Sequence, residues 1–331
     1  MLHSFLFLTL FVFGGLNNSQ PEKDSRTENR STTHWENEVL EVKFLNDSIS
    51  LHYVNNSNLF SEGWDRLAQP AFWKKIMLLS PDSCVINIAK SREIVAQFSI
   101  EEWSSKSESE KNAYRDKIRE EKGLTENEKI YMTTGKSDFY AFDLVIPSIS
   151  KGVQVFNDKG VDPWFAQAIL LIESPGKIAR SNVGAYGPFQ LMPSVARSHG
   201  LRVDKYVDER KDFVRSAEGA ASLIQNTCLP HARRLLDEHA LEYSESDLWF
   251  RLFVLHIYHA GASNVNAVLN AIQPKQGGNE LIHQMWQTSA AKFKNASQNY
   301  SQLALAASII LEEILLKSGD FSIVESGVEK G

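Results

Sequence analysis

Glu173 closes the run Trp164-Phe165-Ala166-Gln167-Ala168-Ile169-Leu170-Leu171-Ile172, in which only Gln167 is polar, and is followed at once by Ser174, Pro175 and Gly176. At spacings of four it shares a helical face with Ile169 and Phe165, so its carboxyl is expected to enter an apolar wall. Desolvation disfavours the carboxylate there, and the negative end of the helix dipole disfavours it again. A carboxylic acid kept protonated near neutral pH can hand a proton to the bridging oxygen of a glycoside. The competing expectation is an ordinary helix end, with Glu173 paired to Lys177 or Arg180. His256 and His259, three apart on one apolar helix, have a spacing that can bind a metal, but no third ligand accompanies them, and no metal or cofactor is expected. Cys84 and Cys228 are the only cysteines. One disulfide and two buried thiols are equally compatible with the sequence.

The element carrying Glu173 must be a core helix, because it is apolar on all sides. Asp162 is its expected cap and Pro163 suits its first position, where a missing N–H costs nothing. Before it, a helix is expected from Pro147-Ser148 to Gly160, turning Ile149, Val153 and Phe156 inward. After it comes a breaker-rich segment to Pro193, then a short helical pattern ending at Gly200. A further helix should begin at Asp212 and stop before Pro230, with Glu209-Arg210-Lys211-Asp212 as solvated surface. Leu248 to Tyr258 reads as an apolar helix broken by Gly261. Residues 271–298 read as a loop holding a short helix, and Tyr300 to Lys317 as a closing helix whose stripe of Leu303, Ala307, Ile310 and Ile314 is for packing alone. In the first half, Phe72 to Leu79 suggests a short helix, Val85 to Ala89 a strand, and Lys129 to Thr133 an extended segment turned by Gly135. Ser107-Glu108-Ser109-Glu110 is a capping box opening a charged helix that ends near Gly123. Trp64, Trp73 and Trp103 are read as core rather than as a sugar groove.

The order of three blocks in the second half resembles the catalytic module of the soluble lytic transglycosylases, whose fold is like goose-type lysozyme. The blocks are Glu173-Ser174 with Ser181, the stretch Gly184-Ala185-Tyr186-Gly187-Pro188-Phe189-Gln190-Leu191-Met192-Pro193, and Ile257-Tyr258-His259-Ala260-Gly261. The resemblance spans roughly residues 145–315. It departs from the family pattern in lacking Asn-Pro after the Glu-Ser pair, in a loop to Ser181 that is one residue short, in Pro188-Phe189 for Leu-Met, and in His259 for Asn. The resemblance implies that Glu173 is the acid and then the base in cleaving the β-1,4 bond between N-acetylmuramic acid and N-acetylglucosamine, leaving a 1,6-anhydro end. It further implies that Ser181, Gln190 and Met192 contact the glycan, that Phe189 keeps an apolar groove wall, and that the Tyr258 phenol steadies Glu173. Two alternatives stay open: a goose-type muramidase using Asp204, Asp208 or Asp212 as second carboxylate, and a glycan-binding protein without activity.

The fold expected is mainly α: a lysozyme-like helical domain over 143–318, preceded by a smaller α+β domain over 35–142 whose role the residues do not indicate. Residues 1–19 read as a secretory signal, 20–34 as a flexible leader and 319–331 as a loose tail. With 331 residues and 43% hydrophobic content the chain has the composition of a globular protein, and its net charge of −6 argues against a nucleic-acid partner, for which a basic face is expected. The resemblance implies a peptidoglycan partner and, with the signal-like start, export to the periplasm or cell envelope of a bacterium; a monomeric state is expected.

Overall fold

The computed structural model describes Trp35 and residues 38–44, 50–173, 180–181, 183–317 and 321–324. The signal-like run, the leader, Ser174, Lys177 and most of the expected tail lie outside the described residues.

The N-terminal part alternates strands and helices: β1 (Val39–Phe44), β2 (Ser50–Val54), α1 (Ser57–Ser61), α2 (Ala68–Leu78), β3 (Ser83–Ile88), β4 (Ile94–Ser99), α3 (Ile100–Ser105), α4 (Glu108–Lys122) and β5 (Ile130–Thr134). From there the chain is helical: α5 (Phe142–Asp158), α6 (Trp164–Glu173), α7 (Pro193–Ser198), α8 (Phe213–Leu223), α9 (Leu229–Glu238), α10 (Leu248–Ala260), α11 (Ala262–Ile272), α12 (Asn279–Gln287) and α13 (Asn295–Lys317). The last described strand, β6 (Phe321–Val324), falls in the stretch expected as tail and pairs antiparallel with β1, which also pairs with β2. The architecture is mainly α, as expected.

In the second sheet β3 lies between β4 and β5, all antiparallel. Its alternation divides the burial. Cys84 and Ile86 join Trp103 and Ile118 in a small core, while Val85 joins the large one. α4 starts on the capping box read from the sequence, with Ser107 and Glu110 bonded reciprocally, and ends on Gly123 in the left-handed region. Trp64, Trp73 and Trp103 are core side chains. Cys84 and Cys228 are buried free thiols in different cores, so the pairing left open by the sequence does not form.

The large core runs without a break from Val42 to Leu315, through both stretches read as separate domains. At its centre is α6, with every residue from Trp164 to Ile172 buried. Gln167 is explained by β2: its Nε2 donates to the Val54 carbonyl and its Oε1 accepts from the Val54 amide, each at 2.8 Å. Asn56 accepts from Trp164 Nε1 at 2.7 Å while its own amide donates to Glu312 on α13 at 3.1 Å. Asp162 caps α6 through the Trp164 amide at 2.9 Å and pairs with buried Arg251 of α10 at 2.7 Å. Arg251 in turn reaches Glu38 at 2.7 Å. α5 approaches α6 closely at Gly152, where a Cβ would lie 2.6 Å from the Leu170 side chain.

Several boundaries differ from the sequence reading: α2 begins at Ala68 rather than Phe72, α13 begins at Asn295 rather than Tyr300, and two more involve a proline. α5 begins at Phe142, so Pro147 is inside it. Pro147 and Asp143 both face solvent, where water can reach the carbonyl that a proline leaves without a helical partner. The helix after Asp212 does not stop before Pro230. It passes through a π-helical turn, Ile224–Cys228, in which the Leu229 amide reaches back to the Ile224 carbonyl, and continues as α9. The wider turn with Asn226 exposed accommodates a proline that a regular helix would reject.

Replacing Gln167 by Leu should lower stability by about 2–3 kcal/mol, since it leaves the buried Val54 amide and carbonyl unpaired. Urea unfolding at pH 7, reporting a lower midpoint at unchanged slope, checks this.

Candidate active site

Glu173 emerges from the C-terminal end of α6, partly buried. Burial pushes its pKa from 4.5 up to about 7, against a smaller opposing effect of the Tyr300 hydroxyl. Of the two cations considered as partners, Arg180 lies instead 3.7 Å from Asp208. The carboxyl is therefore held by desolvation among phenols. Burial and then the charge of Glu173 raise the pKa of Tyr258, of Tyr300 and of Tyr140, and Cys228 acts on the two former. Four elements supply this surround: the segment before α5, the π-turn, α10 and α13.

Tyr258 and Tyr300 divide the work differently from the expectation. The Tyr258 hydroxyl donates to the Phe189 carbonyl at 2.6 Å and so ties α10 to the loop rather than steadying the Glu173 carboxyl directly. The phenol near the carboxyl is Tyr300 on α13, whose hydroxyl is buried and has no partner within hydrogen-bond geometry, yet lies close enough to favour the carboxylate. His259, the neighbour of Tyr258, stacks on the Tyr300 ring with centroids 4.3 Å apart and 26° between planes. His256 turns the other way, into the core, where Nε2 is hydrogen-bonded to Ser301 Oγ at 2.9 Å.

The second block folds as a tight hairpin. Tyr186 and Leu191 exchange backbone bonds at 3.2 Å each, and the turn between them needs Gly187 at φ 84°. A Cβ at Gly187 would lie 1.8 Å from the Arg210 carbonyl oxygen. Gln190 adopts φ 45° and its Nε2 donates to the Gly187 carbonyl at 2.9 Å. Ser181 braces the entry to the hairpin, its Oγ accepting from the Ala185 amide at 3.0 Å. Met192 is 38% exposed and available to a ligand. Phe189 is not a groove wall. It is fully buried, stacked on Phe156 at 5.7 Å and edge-on to Phe213, because the turn directs it into the interhelical core.

Arg210, read from the sequence as solvated surface, is 2% exposed. Its Nε and Nη2 donate to Asp208 at 2.8 and 2.7 Å, and Nη1 donates to the Gly184 and Leu191 carbonyls at 2.9 Å each. The acids proposed as second carboxylates are all engaged. Asp204 accepts from Arg202 and from the Tyr206 and Val207 amides, which hold it down at about 2. Asp208 is paired with Arg210, and Asp212 caps α8 through the Arg215 amide at 2.8 Å.

Residues 154–279 match the family model of the Transglycosylase SLT domain. The chain thus carries a domain of the lytic transglycosylase type, acting on peptidoglycan, and the resemblance read from its three blocks is borne out. A search of the curated proteins finds no match to the chain. Glu173, Ser181, the hairpin and Tyr258 fall inside the matched span, whereas Tyr140 and Tyr300 fall outside it.

Replacing Tyr300 by Phe removes a group that favours the carboxylate, so the pKa of Glu173 should rise above about 7. Side-chain carbon-13 titration of labelled glutamate checks the direction. The raised value also has a stability consequence. The folded state binds this proton more tightly than the unfolded chain, so stability from this group is full below pH 4.5 and is lost as pH rises to about 7. Glu173→Gln should therefore melt higher than the parent at pH 8, and the difference should narrow below pH 5.

Proposed function

We propose that the protein is a peptidoglycan lytic transglycosylase in which Glu173 serves first as acid and then as base. The observation that carries this reading is the Glu173 carboxyl at the end of a buried helix and among phenols, where burial pushes its pKa up to about 7. In the first step the protonated carboxyl donates to the oxygen bridging N-acetylmuramic acid and N-acetylglucosamine, and the bond to the muramoyl C1 breaks with oxocarbenium character. The substrate's 2-acetamido oxygen stabilises that carbon. The Glu173 carboxylate, now anionic, takes the proton from the muramoyl C6 hydroxyl as that oxygen closes on C1. The products are a 1,6-anhydromuramoyl end and a free hydroxyl at C4 of the departing N-acetylglucosamine.

One acid suffices for this route, in contrast to hydrolysis with a second carboxylate on the far face. The engagement of Asp204, Asp208 and Asp212 in caps and ion pairs favours the single-acid route over the muramidase. Gln190 and Met192 on the hairpin, with Ser181 at its entry, are the residues we assign to the glycan beside the cleaved bond. Tyr258 holds the hairpin to α10, and Tyr300 offers a phenol to the anionic form of Glu173, which the first step creates. The substrate places the protein outside the cytoplasm, in the periplasm or cell envelope. No described helix is long and apolar enough to cross a membrane.

Mass spectrometry of digested sacculi should show anhydro ends, and Glu173→Gln should release none above background. Hydrated reducing ends would make the protein a muramidase, and undigested sacculi with the wild-type chain would leave a binding protein. With a general acid near 7, kcat/KM should fall as pH rises, approaching tenfold per unit above that value.

A further inference from the structure

We infer that Arg210, with Asp208 as its counter-ion, is a positioning residue for the reaction, holding both ends of the Gly184–Leu191 hairpin and so fixing Gln190 and the Phe189 carbonyl. The consequence for catalysis rests on the function proposed above, whereas the clamp itself rests on geometry alone.

Each side of the guanidinium has a separate task. One edge, Nε and Nη2, forms a two-point contact with the Asp208 carboxylate. The remaining nitrogen, Nη1, places a bond on the Gly184 carbonyl where the hairpin begins and another on the Leu191 carbonyl where it ends. The face of the cation lies over the Tyr186 ring, 5.6 Å from its centroid. The residue's own carbonyl oxygen occupies the space that a side chain at position 187 would fill. Arg210 therefore meets the hairpin at its start, its turn and its end. A lysine has the charge but not the planar fork, and it could not serve Asp208 and two carbonyls together.

The energetic argument points to placement rather than stability. A buried ion pair contributes little beyond what apolar residues of the same volume would give, because desolvation cancels most of the attraction. What the guanidinium adds is direction. Gln190 is held at a positive φ that non-glycine residues adopt at a cost, and it is the residue immediately before the clamped Leu191 carbonyl. Phe189, one residue earlier, accepts the Tyr258 hydroxyl bond. A covalent and hydrogen-bonded path thus runs from Arg210 through Leu191, Gln190 and Phe189 to Tyr258, whose ring belongs to the surround of Glu173. Release of the clamp would let Gln190 and this anchor move together, and a displacement of about 1 Å at a reacting centre costs on the order of 100-fold in rate.

The test uses the full chain carrying Arg210→Ala or Arg210→Lys, with thermal melting to establish that each variant is folded. Hydrogen exchange should show lost protection in peptides covering residues 184–192, with α10 peptides unchanged. On sacculi, kcat/KM of Arg210→Ala should fall about 100-fold, and millimolar guanidinium should restore it at least tenfold, while Arg210→Lys stays low. Unchanged protection in the hairpin, protection lost evenly over the whole chain, or a folded Arg210→Ala variant with wild-type kcat/KM would each overturn the inference. A wild-type chain that cuts no glycan would defeat the proposed function instead, and the exchange result would still decide whether Arg210 is the clamp.

Discussion

The burial of α6 on every face from Trp164 to Ile172 is the constraint from which the rest of the structure follows. A helix apolar on every face has to be enclosed by other elements, and here β2, α5, α10 and α13 do so. Its few polar groups then dictate which elements come closest. Gln167 can be buried only because β2 offers both an amide and a carbonyl at Val54. Asp162 can be buried only because Arg251 reaches it from α10. With these satisfied by neighbours, Glu173 is left as the acid at the helix end without an assigned cation among the described residues.

That enclosure is also the source of the chemistry. Phenols are weak acids, so ringing a carboxyl with Tyr140, Tyr258 and Tyr300 supplies polar edges without fixing a charge beside it. A lysine or arginine in any of those places would hold the carboxylate form and remove the proton donor. The same surround becomes useful after proton donation, when Tyr300 can meet the new anion. The cost is borne as native-state stability above neutral pH, a strain that the large core is able to absorb.

Much of the organisation was legible because it is local. The ends of α6 followed from Asp162-Pro163 and Glu173-Ser174-Pro175-Gly176, and the ends of α4 from a capping box and a glycine. The SLT match rests on motifs that are contiguous in sequence. What escaped reading depends on partners far along the chain. Arg210 lies in a charged run that looks like surface, and only the hairpin carbonyls, some 19–26 residues away, explain its burial. Phe189 occupies a methionine position of the family pattern, yet the turn at Gly187 directs it inward. Tyr300 was read only as the start of the closing helix. Its signal was the polar cluster Asn299, Ser301 and Gln302 around it, unusual in a helix otherwise suited to a core. The role expected of Tyr258 was divided between two phenols because the hydrogen bond to Phe189 closes over a span no local pattern records.

The π-turn at Ile224–Cys228 makes the length of its segment as important as its composition. Such a turn is what a helix becomes when it gains a residue while its ends stay anchored. Deleting one residue there would restore regular winding with α9 still on the same face of the core. Ala232, Leu235 and Leu236 would keep their places in the core, but the Pro230 ring would meet a helical carbonyl that the wider turn now keeps clear of it. The extra residue is thus what lets a proline sit inside one continuous helix, and the length of the segment is set by that fit.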